Sequence, residues 1–256
     1  MSQAKALEQF IALHKNESPL LLGNVWDAHT TKLAQDAGYK AIGTSSHAIA
    51  IALGYADGEN ISLEELLCAI KRIVAVASVP VSVDFEAGYS TAPNQVADNV
   101  KLLTDLGIVG INLEDGIVKD GTRVLEDANK LVDKIKAIKQ VTNVFINARV
   151  DTYTTKHVQA LEESIKRALQ YKEAGADGIF VPLIETEADI KAFTEKVDLP
   201  LNVFTTAKLP AYDQLGALGV KRLSHGGKQF DQLMKISKDI FQKFIDTKDY
   251  KVILGS

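Results

Sequence analysis

The feature that most narrows the folds open to this chain is an alternation kept up along its length. Short β-rich apolar runs are each followed by an amphipathic stretch of helical length, the pattern of βα units around a parallel sheet. The expected strands are Leu20–Asn24, Ala41–Ser45, Val79–Phe85, Val109–Glu114, Val144–Arg149, Gly178–Pro182, Leu201–Phe204 and Val220–Ser224. Expected helices include Trp26–Ala37, Leu63–Ala77, Asn94–Leu106, Asp127–Gln140, Val158–Glu173 and Glu187–Val197, several closed by Gly, as at Ala37-Gly38 and Ala174-Gly175. About eight such units predict an α/β fold of the (β/α)8 TIM-barrel type. An open doubly wound sheet would carry a glycine-rich phosphate loop after its first strand, where this chain reads Asn24-Val25-Trp26-Asp27.

The 256 residues show no linker, low-complexity tract or composition shift, so residues 1–256 are expected to form a single domain. Lys plus Arg number 29 against 33 Asp plus Glu, a net charge of −4, which leaves no basic surplus for a nucleic-acid partner. A lone cysteine, Cys68, cannot form an internal disulfide and fits a reducing compartment. The amino-terminal residues place Leu7, Phe10, Ile11 and His14 on one helical face and do not read as a signal peptide. The longest charge-free run, Ala41 to Ala56, carries Thr44, Ser45, Ser46 and His47 and falls short of a membrane span. A cytoplasmic location is therefore expected, without a membrane partner.

Catalytic groups of a barrel lie at the carboxyl ends of its strands. Because side chains alternate along a strand, Ser82, Asp84 and Glu86 share a face opposite Val81, Val83 and Phe85. Asn112 and Glu114 likewise oppose Ile111 and Leu113, and Asn147, Arg149 and Asp151 oppose Ile146, Ala148 and Val150. Asp84, Glu86, Glu114 and Arg149 are thus expected at one mouth. Carboxylates without clustered His or Cys suit a hard cation, Mg2+ with Mn2+ as a substitute. A network in which Arg149 neutralises the acids is the other reading. Gly43 to His47 reads either as an anion-binding turn or as an ordinary polar turn, and Ser224-His225-Gly226-Gly227 either as a phosphate loop or as a tight turn. Asp57 reads as a surface turn, His29 and His157 as helical residues, and Trp26 and Cys68 as packing residues.

The chain resembles the phosphoenolpyruvate mutase/isocitrate lyase superfamily. The resemblance runs from Gly23-Asn24-Val25-Trp26-Asp27 through Asp84-Phe85-Glu86-Ala87-Gly88-Tyr89 and Gly110-Ile111-Asn112-Leu113-Glu114-Asp115 to Asn147-Ala148-Arg149-Val150-Asp151. It implies a Mg2+-dependent barrel, a homo-oligomer (tetramer or dimer) whose last helix is exchanged between subunits. It implies Asp84 as the direct metal ligand, with Asp57, Glu86 and Glu114 holding the ion largely through water. Arg149 would bind a carboxylate or phosphonate, and Ser45 and Ser46 would donate to the substrate, with Asn112 beside them.

The stretch Gly116-Ile117-Val118-Lys119-Asp120-Gly121-Thr122-Arg123 departs from the K-[KR]-C-G-H gating loop of the lyase branch: it has no Cys or His. It also lacks the Asn of the mutase loop, and the sixth strand ends in Pro182 where the mutases carry a His. Lys119, Arg123 and Tyr89 are the residues expected to handle protons or the departing group. The expected activity is cleavage or rearrangement of a C–C or C–P bond in a small 2-oxo or 2-hydroxy carboxylate or phosphonate, through an enolpyruvate-like intermediate, as a lyase, decarboxylase, hydrolase or phosphonomutase. The alternatives are a non-catalytic barrel that binds metal or metabolite, and a class II aldolase-type enzyme.

Overall fold

The structure is a computed structural model and describes residues 2–119 and 121–255. Helix α1 (Gln3–Leu13) buries Ala6, Leu7 and Phe10. Strands β1 (Leu20–Leu21) and β2 (Gly23–Val25) are two halves of one strand parted at Leu22. Helix α2 (Ala28–Asp36) starts on a reciprocal cap, Asp27 accepting from the Thr30 N–H at 2.7 Å while the Thr30 hydroxyl accepts from the Asp27 N–H. Strand β3 (Ile42–Thr44) passes through Ser45, the N-cap, into α3 (Ser46–Ala52), and α4 (Leu63–Val74) starts on a capping box of Ser62 and Glu65. Next come β4 (Val81–Asp84), α5 (Pro93–Asp105) and β5 (Gly110–Glu114). An antiparallel hairpin, β6 (Gly116–Lys119) and β7 (Thr122–Leu125), precedes α6 (Ala128–Val141). The alternation resumes with β8 (Phe145–Arg149), α7 (Ala160–Ala174), β9 (Gly178–Phe180) and α8 (Glu187–Lys196). It ends with β10 (Leu201–Phe204), α9 (Tyr212–Ala217), β11 (Val220–Ser224), α10 (Lys228–Thr247) and α11 (Lys251–Leu254).

The large sheet is parallel, in the order β1-β11-β10-β9-β8-β5-β4-β3-β2. β1 pairs with β11 and β2 with β3, so the split first strand joins the two edges and brings the sheet round into the expected (β/α)8 barrel. Outward side chains such as Val81, Val83, Ile111, Leu113, Ile146 and Ala148 are buried in the main core under the helices. Helix α1 plugs the amino-terminal end. A Cβ at Gly110 would lie 2.7 Å from Phe10, so only glycine admits the Phe10 ring there. His14 stacks on Phe145 at 4.4 Å between centroids, and burial, aided by the charge of Arg222, pushes its imidazole down to about 3.

Several expectations change. The third strand ends at Asp84 rather than Phe85, and Glu86 lies in the turn beyond it with φ 51°. The stretch after Glu114 is a paired hairpin. Helix α7 starts at Ala160, leaving His157 in the preceding turn, where Thr154 and Thr155 bond back to Asp151 instead of extending a helix. Cys68 is exposed on α4 rather than packed, since Leu66, Ile70 and Ile73 are the residues that α4 buries. Among the described residues, no helix is long and apolar enough to cross a membrane.

Candidate active site

The carboxyl ends of the strands open into a cavity of about 280 Å³. It is lined by Ser45, Ser46, Asp57, Asp84, Asn112 and Arg149, all expected there, and also by Asn24, His47, Phe180, Leu183, Phe204, Lys228 and Asp231. Parallel pairing sets Asp84 beside Asn112, and Glu114 beside Arg149. The strand periodicity therefore places these groups on one rim.

Asp84 is held from two sides. Its Oδ2 accepts from the Ser46 hydroxyl at 2.7 Å, and its Oδ1 accepts from Asn112 Nδ2 at 3.2 Å. Ser45 Oγ accepts from the Ala48 N–H at 3.2 Å, which keeps its own proton free to donate into the cavity. Arg149 Nη1 lies 2.9 Å from Glu114, and its Nε donates to Asp151 Oδ1 at 2.9 Å. Arg123 reaches down from β7 to Glu114 at 2.6 Å and to Asp151 at 2.8 Å. Burial disfavours the Asp151 charge, yet Arg149 and Arg123 overcome it and hold the carboxyl below its usual range. For Glu114 burial pushes upward against the pull of Arg149 and Arg123, and Asp151 adds to the push. The neutralising network thus exists around Glu114 and Asp151.

It does not extend to the other acids. Glu86 accepts from the Glu59 N–H at 2.7 Å, and Glu59 in turn accepts from the Tyr89 N–H at 2.8 Å, strapping the 57–60 turn to the turn after β4. Glu86, Tyr89 and Glu59 all have left-handed backbones, with φ of 51°, 58° and 57°, a concentration of strain typical of built sites. Burial pushes the Glu86 carboxyl up to about 9, with Glu114, Asp84, Asp57 and Glu59 adding like charge. No cation of the described residues is among the groups whose charges act on Glu86. Among the described residues, no three His, Cys, Asp or Glu side chains converge tightly enough to clasp an ion. The carboxylates on the lining fit an ion touched by Asp84 and otherwise hydrated, with Asp57 as an outer acceptor, as Mg2+ prefers, whereas Glu86 and Glu114 do not line the cavity and Glu114 is spent on Arg123 and Arg149.

The other expected residues lie elsewhere. Lys119 is exposed on the hairpin and does not line the cavity. Tyr89 faces Glu86, its hydroxyl 3.5 Å from Oε1, and burial with that charge raises its phenol. The N–H groups of His225 and Gly226 both donate to Asn24 Oδ1 at 2.9 Å, so that turn spends them on the protein itself rather than on a phosphate. Asp115 is structural: it accepts from Tyr171 at 2.7 Å and from Arg167 at 3.0 Å, tying β5 to α7.

Sequence reasoning missed His47 as an individual residue. Its Nε2 is 2.9 Å from Asp231 and its Nδ1 is 3.6 Å from Asp57. The only signal was its place in Gly43–His47 at the end of the second strand. Asp231, contributed by α10, has no neighbouring motif to mark it.

Comparison with known proteins agrees with the fold. The 2-methylisocitrate lyase of Escherichia coli K12 is 33% identical over 201 residues, covering 75% of this chain and 67% of that protein. An oxaloacetate decarboxylase of Rhodopseudomonas palustris is 30% identical over 208 residues, covering 77% of this chain and 70% of the other. The crystal structure of a candidate phosphonomutase from Burkholderia cenocepacia J2315 superposes with a TM-score of 0.87 at 35% identity, covering 93% of this chain and 99% of that one. The family described as phosphoenolpyruvate phosphomutase matches residues 10–245. Since that match runs from α1 into α10 rather than over one motif, the chain belongs to this family, within the phosphoenolpyruvate mutase/isocitrate lyase superfamily.

Proposed function

We propose that the chain is a Mg2+-dependent enzyme that breaks or rearranges a bond to C3 of a small 2-oxo or 2-hydroxy carboxylate, through an enolpyruvate-like intermediate. The observation that carries this is the set of carboxylates on the cavity lining, Asp84, Asp57 and Asp231, beside Arg149, with Glu86 buried close enough behind them to feel the charges of Asp84 and Asp57. Two relatives are named for C–C bond cleavage, which favours carbon over phosphorus as the leaving atom. Mg2+, when bound, would supply charge to stabilise the developing enolate.

The residues then divide the work. Asp84 would touch the ion, positioned by Ser46 and Asn112, while Ser45 and Arg149 would bind the substrate's anionic end. Arg149 is already committed to Asp151 through Nε and Nη2 and to Glu114 through Nη1, which fixes its plane and leaves the second hydrogens of Nη1 and Nη2 for a carboxylate. His47, between Asp231 and Asp57, is the cavity side chain whose chemistry suits proton transfer, and it takes the part expected of Lys119, Arg123 and Tyr89, Arg123 being spent on Glu114 and Asp151. The same reading makes the protein a homo-oligomer, because α10 buries only Phe230 while Phe241 and Ile245 stand exposed.

The test is calorimetric titration of oxalate, a mimic of the pyruvate enolate, with and without Mg2+. Binding that needs both Mg2+ and Asp84, and is lost in Asp84→Asn, is the expected result. Oxalate binding indifferent to the metal, or equal in Asp84→Asn, would overturn the proposal and favour a barrel that binds metabolites without a metal.

A further inference from the structure

Beneath Asn112 the barrel holds a buried cation, Arg222, outside the cavity lining. Arg222, on β11, is 1% exposed and heads the largest fully buried side chains. Among the described residues its guanidinium has one hydrogen-bond partner, Asn112, whose Oδ1 accepts from Nη2 at 3.2 Å; Nε and Nη1 have none. Burying a guanidinium without a carboxylate against it is strongly unfavourable, so a residue serving stability alone would be poorly chosen here. Its single partner points to the site. Asn112 Oδ1 also accepts from Asn147 at 2.9 Å, and with two donors on its oxygen the amide can turn only Nδ2 toward Asp84. Burial pushes the guanidinium down to about 9, with the Asp84 charge opposing the shift, so it stays cationic at neutral pH.

We propose that Arg222 is a positioning residue for the anionic substrate: it fixes the orientation of Asn112 and holds a preorganised positive charge under the Asp84 end of the cavity. The proposal rests on the reading of that cavity as a metal and carboxylate site. A charge fixed inside a packed barrel acts on an incoming anion with little reorganisation, which is how such groups favour developing negative charge. The role shows itself as a conflict between stability and binding.

The conflict makes the test. Arg222→Met removes the unpaired charge and leaves Asn112 Oδ1 bonded to Asn147, so the melting temperature is expected to rise or hold. Oxalate titrated at saturating Mg2+ is expected to bind about 10- to 100-fold more weakly than to the wild type. Arg222→Lys keeps a charge at the same depth and is expected to recover most of the loss. An Arg222→Met protein that binds oxalate like the wild type, or that melts below it, would overturn the positioning role, and so would a Lys variant as weak as Met. Wild type and Asp84→Asn run alongside: if oxalate binding to the wild type needs no Mg2+, the reading of the cavity itself fails, and that outcome is separate from any behaviour of Arg222.

Discussion

At the scale of single residues, what decides function here is whether an ionised group is matched. Asp115, Asp151 and Glu114 each meet an arginine, whereas Glu86 meets like charges and is pushed up to about 9. His47 is the residue whose removal discriminates chemistry from packing. It is one-third exposed, and its ring lies against Gly227, where a Cβ would come within 2.4 Å of it. His47→Gln keeps a polar side chain of similar reach, so the urea midpoint should stay within experimental error of the wild type. Turnover on a substrate identified by screening oxaloacetate and substituted malates should fall by about 10²- to 10⁴-fold. Unchanged turnover would return the role to Lys119, Arg123 or Tyr89. Asp84, Glu114 and Arg149 were legible because strand alternation alone puts them on one rim. His47 was not, since its meaning comes from Asp57 ten residues on and Asp231 on another helix.

Among elements, the hairpin is the informative one. Its strands are short and its tip is polar, so the sequence around Lys119 to Thr122 reads as loop, yet Gly116–Lys119 pairs with Thr122–Leu125 in full register. What organises it lies underneath: Arg123 reaches Glu114 and Asp151, and a Cβ at Gly116 would lie 2.3 Å from Asp151 Oδ2. These are long-range contacts, invisible to periodicity. The barrel strands were legible to within a residue or two because their outward apolar residues alternate with inward polar ones; a boundary slipped where a cap took over, as at Ser45. Arg123→Met should detach the hairpin from the barrel without unfolding it. Arg149 still faces Glu114 and Asp151, so the loss in global stability should be modest, about 1–2 kcal/mol. Amide exchange at Ile117 and Val124 should accelerate far more than exchange in β5, as expected of a unit that opens on its own. Equal acceleration in both would mean that Arg123 supports the whole barrel.

Two features of the whole molecule tie its ends to its stability and its assembly. At the amino-terminal end, His14 is held neutral down to about pH 3 by burial and by the charge of Arg222, whereas in an unfolded chain it protonates near its usual 6.5. Unfolding therefore takes up a proton between those limits. The stability contributed is complete above pH 6.5 and is lost as pH falls toward 3, by up to about 5 kcal/mol. His14→Gln should flatten the dependence of the denaturation midpoint on pH in that window, and an identical slope would clear His14 of the effect. At the other end, α10 runs for 20 residues and buries only Phe230. Met234, Phe241 and Ile245 recur at intervals that share a helical face, with exposures of 45%, 66% and 61%, and Tyr250 and Leu254 continue the apolar surface at 68% and 70%. A monomer in water gains nothing from such a face, but a neighbouring copy that covers it removes several large side chains from solvent at once. The same helix supplies Asp231 to His47, so an assembly through this face would share one element with the cavity rim. Paired Phe241→Glu and Ile245→Glu substitutions should shift the mass measured by light scattering toward that of the single chain, while the circular dichroism of the barrel is retained. A mass that does not change would show that this face is covered by something other than a second copy.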